Sequence, residues 1–307
     1  MNKKIVFMGT SEFAVPILKS LYQNGYPINT VYTQPPKKSN RGQKYNKSPI
    51  HIFSETLNYE VRTPVSLKNN IQERDFLKKL KLDIVIVVAY GQIIPKEILG
   101  LVKKGFINIH ASLLPKWRGA APIERAILNG DKETGVSIMK IVNKLDAGPY
   151  VMQTRIKIDT ETNSGELKEK LSILGAKTLI QSIDLILSNK GNFIDQNDKE
   201  VSYAKKIKKE ETKINWQEDA EKIILKINAF SPKPGAWFYL NKLRIKIHKA
   251  KIVNLNGKPG TVLDDKLTIA TKKNAIKILK LQKEGKNIIE ATDFLKGNKV
   301  NKNIILN

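Results

Sequence analysis

The sequence predicts an α/β protein: a doubly wound, mostly parallel sheet over residues 1–190, a linker over 191–209 and a smaller β domain over 210–307. Three observations carry this expectation. Short apolar runs alternate with helical periodicities through the first half of the chain, as strands and crossover helices do. A length of 307 residues with 41% hydrophobic content allows two cores. The last hundred residues turn instead to short apolar stretches punctuated by Gly, the pattern of a small barrel.

The first strand is Lys4-Ile5-Val6-Phe7-Met8, ending at Gly9-Thr10. Phe13, Ile17, Leu18 and Leu21 then recur at helical spacing until Asn24-Gly25 stops the helix, and residues 28–33 form the next strand. Such a strand–helix–strand opening is Rossmann-like. Dinucleotide binding would need Gly-x-Gly-x-x-Gly at the first turn; only Gly9 is there, and no Walker-type loop occurs, so NAD and ATP are not indicated. Residues 34–48 are a long polar connection with Lys37, Lys38, Arg41, Lys44 and Lys47 around Gly42. Two readings fit it: a solvated, mobile loop, or a functional loop leaving the strand end on the crevice side. Helices are expected at 50–57 and 71–80. Residues 83–89 are the most apolar strand, expected at the sheet centre, and lead into Tyr90-Gly91-Gln92 at a crevice-facing end.

Gly105-Phe106-Ile107 opens another buried strand. Continued through His110, its period of two puts Asn108 and His110 on one face, at a C-terminal end where open α/β sheets bind ligands. Pro115, Gly119 and Pro122 then prevent a continuous helix, leaving Ser112, Trp117 and Arg118 in a loop. A helix starts at Pro122. The apolar run 135–139 precedes Leu145-Asp146-Ala147-Gly148-Pro149, residues 151–158 read as an edge strand, and 164–187 as a long helix capped by Ser164. In the last domain, Asn215-x-x-Glu218 is a capping signal before a helix with Ala220, Ile223, Ile224 and Ile227 on one face. Leu243, Ile245 and Ile247 alternate with Arg244, Lys246 and His248, giving a strand with one apolar and one basic face. That face is either a nucleic-acid surface or a solvated lysine face.

Composition narrows the chemistry. There is no Cys, so disulfides, thiolate metal sites and a cysteine nucleophile are excluded. His51, His110 and His248 are far apart and no His-Glu-x-x-His occurs, so no metal is expected. No run of 18 apolar residues and no signal peptide is found, which predicts a cytoplasmic protein without membrane contact. A net charge of +25 and a pI near 9.9 suggest a polyanionic partner. Of the 54 basic residues only seven are Arg, and a Lys, Asn and Ile bias of this kind also arises from AT-rich coding. Charge alone therefore decides little.

A lone His at a strand end is commonly structural. Here Asn108 makes it a polar pair, costly at the end of an apolar strand unless partnered, and Asp146 supplies a carboxylate before a turn. Asn108-x-His110, Ser112-Leu113-Leu114-Pro115, Trp117-Arg118-Gly119-Ala120-Ala121-Pro122 and Leu145-Asp146-x-Gly148 together resemble the formyltransferases that use 10-formyltetrahydrofolate, and the resemblance runs along essentially the whole chain. No part of the pattern is specific alone; the combination is.

The resemblance implies transfer of a formyl group from 10-formyltetrahydrofolate to the α-amino group of methionyl initiator tRNA. It implies Asn108, His110 and Asp146 as catalytic residues, Ser112, Leu113, Leu114 and Pro115 as the folate-contacting segment, and an OB-like barrel at the C-terminus. In this reaction Asn108 would stabilise an oxyanion, His110 would donate to that oxygen or move protons, and Asp146 would orient His110 or accept the amine's proton. Arg118 is expected to brace its loop. Arg41, Lys38 and Lys44 are the expected tRNA contacts, and the chain is expected to be a monomer. A formyltransferase acting on an amino sugar nucleotide and a non-catalytic RNA-binding protein are the alternatives.

Overall fold

The computed structural model describes residues 3–39 and 44–306. The strands are β1 (Ile5–Gly9), β2 (Ile28–Tyr32), β3 (Lys37–Ser39), β4 (Lys44–Asn46), β5 (Val61–Arg62), β6 (Ile84–Val88), β7 (Phe106–His110), β8 (Arg118–Gly119), β9 (Glu133–Lys140), β10 (Tyr150–Lys157), β11 (Tyr203–Ala204), β12 (Ala236–Leu240), β13 (Leu243–Val253), β14 (Thr268–Ala270), β15 (Ala275–Lys283) and β16 (Ile288–Glu290). The helices are α1 (Val15–Gln23), α2 (Pro49–Thr56), α3 (Ile71–Leu80), α4 (Lys96–Leu99), α5 (Pro122–Leu128), α6 (Ser164–Leu187), α7 (Ala220–Phe230) and α8 (Ala291–Gly297). They fall into two compact units. One comprises residues 1–119, 134–156 and 168–203; the other comprises 120–133, 157–167 and 204–307.

The first unit is built on a seven-stranded sheet in the order β10-β9-β7-β6-β1-β2-β5. Pairs β7–β6, β6–β1, β1–β2 and β2–β5 are parallel, and β9 runs antiparallel to β7. Every residue of β1 and β6 is buried, so both faces of the sheet are covered there, and β6 takes the central place its composition predicts. The chain leaves β1 toward β2 on one side and returns to β6 on the other. That reversal makes the C-terminal ends of β1 and β6 a topological switch point. The last position of β1 is Gly9, where a Cβ would meet the Phe7 ring at 2.7 Å and Ala14 at 3.0 Å.

The long polar connection differs from a structureless loop. β3 and β4 pair antiparallel, with Lys37 opposite Asn46 and Ser39 opposite Lys44. Backbone pairing, which leaves no hydrophobic alternation to detect, organises this stretch. Arg41 lies outside the described residues.

The second unit contains α5, α7 and an antiparallel sheet ordered β12-β13-β15-β14, with β16 also on β15. Among the described residues no strand pairing closes this sheet into a barrel. Three local signals resolve differently from their sequence readings. Asn163, one residue before the expected Ser164, caps α6: its Oδ1 accepts the Glu166 N–H at 3.0 Å while Glu166 Oε2 accepts the Asn163 N–H at 3.1 Å. Asn215 accepts from Gln217 N–H in a turn, and Asp219 precedes α7 without a side-chain cap. His248 is buried rather than on the basic face, because a register shift between Ile247 and Lys249 turns it inward. No helix among the described residues is long and apolar enough to cross a membrane.

Candidate active site

β7 places the polar pair. Asn108 stands opposite Val87 of β6 and Met139 of β9, and His110, the last residue of the strand, stands opposite Ser137. Two residues apart, they share one face at the C-terminal edge of the sheet. His110 is buried, and its Nε2 lies 2.9 Å from the Trp117 carbonyl oxygen. A carbonyl only accepts, so Nε2 carries the hydrogen and Nδ1 is the nitrogen free to exchange one. Nδ1 faces Asp146 Oδ2 at 3.8 Å, too long for a hydrogen bond but within ion-pair range once the imidazole is protonated. That carboxylate is fixed from its other side by the Gly119 N–H at 2.8 Å. The Asn108 side chain is half-buried and has no hydrogen-bond partner among the described residues. An uncommitted amide therefore stands beside a histidine–carboxylate pair.

The backbone that holds these groups is strained. Trp117 has φ +61° and Asp146 φ +45°, both in the left-handed region that side chains other than Gly rarely adopt. Such conformations persist only where surroundings over-determine them. Here Ser112 is fully buried and its hydroxyl donates to Lys116 O at 2.6 Å. Ser137 Oγ donates to Ser112 O, at 2.7 Å, and accepts the Leu114 N–H at 3.1 Å, while Gln153 Nε2 donates to both Leu114 O and Ser137 Oγ. This network spends the Ser112 hydroxyl inside the protein. Leu114 is buried as well, and Leu113 and Pro115 are the half-exposed members of the segment.

Arg118 is the largest fully buried side chain of the chain's described residues. Its Nε donates to Gln196 Oε1 at 2.9 Å and its Nη2 to Asp198 Oδ1 at 3.1 Å. The hydrogen bond from Arg118, with Lys144 nearby, holds the Asp198 carboxyl below the usual range. Arg118 thus braces its loop, as its place in the sequence suggests. Gln196 was not legible in the sequence: it lies in a polar stretch that reads as linker. The one available signal was indirect, since a buried Arg requires polar partners from elsewhere in the chain.

At the neighbouring strand ends, Thr10 Oγ1 and Gln34 Nε2 both donate to Tyr90 O, at 2.8 and 2.9 Å. Tyr90 itself is buried, and burial raises its phenol pKa. Its side chain is part of the buried cluster that includes Val85, Val87 and Ile98. Of the basic residues at the hairpin, Lys38 and Lys44 sit on the paired strands β3 and β4. Among the described residues no group of three or more His, Asp or Glu is arranged to hold a metal ion.

Residues 3–183 match the formyl transferase family and residues 206–299 match the formyl transferase C-terminal domain. The methionyl-tRNA formyltransferase of Pelagibacter ubique (strain HTCC1062) is 54% identical over 301 residues, covering 98% of this chain and 97% of that protein. The methionyl-tRNA formyltransferase of Brucella melitensis biotype 2 (strain ATCC 23457) is 42% identical over 304 residues, covering 97% and 99%. The crystal structure of WlaRD, a sugar 3N-formyl transferase, determined in the presence of dTDP and 5-N-formyl-THF, superposes with a TM-score of 0.70. It is 23% identical and the match covers 94% of this chain and 100% of that one, a likeness of fold. By both domain matches and by identity over nearly its full length, the chain belongs to the formyl transferase family.

Proposed function

We propose that this protein transfers the formyl group of 10-formyltetrahydrofolate to the α-amino group of methionyl initiator tRNA, in the cytoplasm and as a monomer. The observation that carries the chemistry is the uncommitted Asn108 amide beside the His110–Asp146 pair at the C-terminal edge of the sheet, on the strand next to β6. The substrate follows from relatives that carry the methionyl-tRNA activity over essentially the whole chain.

The amine attacks the formyl carbon held on N10. A C–N bond forms and the carbonyl π pair moves onto oxygen. Asn108 Nδ2–H donates to that oxyanion, a contact whose loss costs about 10²–10³ in rate. The attacking nitrogen must lose a proton, and N10 must gain one as its bond to the formyl carbon breaks. His110 Nδ1 takes the first and returns the second, while Asp146, anchored by the Gly119 N–H, stabilises the imidazolium formed between the steps. The products are formyl-methionyl-tRNA and tetrahydrofolate. Leu113 and Pro115, the half-exposed part of the 112–115 segment, line the folate.

The division of labour is a catalytic domain over 1–190, a linker over 191–209 and an OB-like tRNA-binding domain over 210–307. Arg41, Lys38 and Lys44 contact tRNA phosphates. In the second unit Trp237 and Tyr239 of β12 lie opposite Lys246 and Arg244 of β13 on one sheet face. The rings of Trp237 and Tyr239 pack edge to face at 5.1 Å, and the Arg244 guanidinium lies 4.2 Å from the Trp237 ring centre. Cations interleaved with aromatics are the composition of a nucleic-acid surface.

The test is a substrate panel. Purified protein with 10-formyltetrahydrofolate is expected to formylate charged initiator tRNA and to leave free methionine and a dTDP-amino sugar unmodified. Formylation of the amino sugar without the tRNA would replace this reading with the sugar-nucleotide one.

A further inference from the structure

The positive φ of Asp146 needs a cause, and Arg118-Gly119 with Gln196 supplies it. The Gln196 amide donates one N–H to Asp146 O at 2.8 Å and the other to Gly148 O at 2.7 Å. Both hydrogens of one NH₂ are thus spent on the two ends of the Asp146 turn. The amide cannot rotate to exchange its oxygen and nitrogen, because Oε1 accepts from Arg118 Nε at 2.9 Å and an Arg side chain only donates. Arg118 is held in turn by burial and by Asp198. Gly119, the next residue, donates its own N–H to the Asp146 carboxylate. A single dipeptide therefore fixes Asp146 at both ends: the carboxylate directly, and the backbone through Gln196. At Gly148 the turn is pressed so closely on the neighbouring strand that a Cβ would lie 1.9 Å from Lys140 O.

We propose that Gln196, clamped by Arg118, is a positioning residue for formyl transfer: it sets the placement of the Asp146 carboxylate against His110 Nδ1 without touching substrate. The proposal rests on the formyl-transfer reading given above. Its physical basis is that the carboxylate already stands 3.8 Å from Nδ1, so relaxation of the turn by about an ångström moves it out of useful range.

Gln196→Glu separates positioning from folding. The glutamate keeps the side-chain length and pairs with the Arg118 guanidinium, so the fold is retained, but it has no N–H to give Asp146 O and Gly148 O. The expected result is a kcat lower by about 10- to 100-fold, a KM for the formyl donor within about threefold of wild type, and a protein that still unfolds cooperatively above the assay temperature. The pH profile of kcat should also change shape, since the His110–Asp146 pair is uncoupled. In an Asp146→Asn background the same substitution should have little further effect, because Gln196 acts through Asp146. Wild-type kcat in Gln196→Glu, or an equal and additive loss in the Asp146→Asn background, overturns the proposal. If Gln196→Glu is unfolded, Gln196→Asn serves: shortened by one methylene, it keeps both polar ends and cannot reach both carbonyls. A folded Asn variant with wild-type kcat overturns the proposal, and one with reduced kcat and unchanged donor KM supports it. Wild-type protein that formylates no charged tRNA overturns the underlying reading, which the variants by themselves do not.

Discussion

His110 is the residue whose two nitrogens have separate tasks. Nε2–H is committed to Trp117 O, so in the proposed mechanism Nδ1 is the nitrogen that exchanges a proton. Asp146→Asn tests that division. The amide still offers an oxygen to the Gly119 N–H but no charge to an imidazolium, so kcat should fall by about 10² or more while the donor KM stays within a few-fold. Steady-state kinetics at saturating donor check this; equal falls in kcat and donor affinity would mean a folding or binding defect. At this scale the sequence was informative about identity and silent about geometry. That Asn108 and His110 share a face is readable because strand periodicity is local; the approach of Asp146 to His110 is not, since a turn far along the chain supplies it. The left-handed backbone at Asp146, the inward Ser112 hydroxyl and the Gln196 clamp are not, because each depends on partners tens of residues away.

Single elements are where hidden polar partners matter most. α6 was legible to the residue from its apolar spacing, yet its cap is Asn163, since the reciprocal bonds with Glu166 need a residue outside the helix. Asn163→Ala should destabilise the protein by about 1 kcal/mol, measured by denaturant unfolding, whereas Ser164→Ala removes only the bond to Ser231 O. β13 carries a second hidden feature. Burial lowers the His248 pKa below its ordinary 6.5, the hydrogen bond to Gln282 opposes this, and Lys246 adds to it. A histidine with a depressed folded pKa stays neutral in the native state while the unfolded chain takes up the proton first. The folded state is therefore at full stability above pH 6.5 and loses stability as pH falls from there toward the folded pKa. Unfolding midpoints at pH 7.5 and 5.5 should differ less in His248→Gln than in wild type. An identical pH dependence in both would show that His248 is not the group responsible. Alternation misled here because a bulge reverses which face a residue occupies, and nothing in the residue types marks the bulge.

For the molecule as a whole, charge and connectivity set the expectations. With a net charge of +25, tRNA binding should weaken steeply with salt. The slope of log K against log salt counts the phosphates contacted, so replacing Lys38 and Lys44 by Ala should flatten it by about one to two units. An unchanged slope would leave those lysines as ordinary solvated charge. The alternation of apolar runs and helical patterns predicts a doubly wound sheet with residues 83–89 at its centre, and β6 takes that place. α5, from the middle of the chain, groups with α7 and packs against it, and its Ile123, Ala126 and Ile127 are buried. Deleting residues 207–307 should therefore expose that face and lower the melting temperature of the remainder; a truncated chain as stable as the whole would contradict this. The central claim, formyl transfer by an uncommitted Asn108 amide beside His110 and Asp146, has one direct measurement: the single-turnover rate of labelled formyl transfer from saturating 10-formyltetrahydrofolate to methionyl initiator tRNA. The account predicts label on the methionyl amine with wild-type protein and a rate about 10²–10³ slower with Asn108→Ala; no label with wild type, or equal rates for the two proteins, would contradict it.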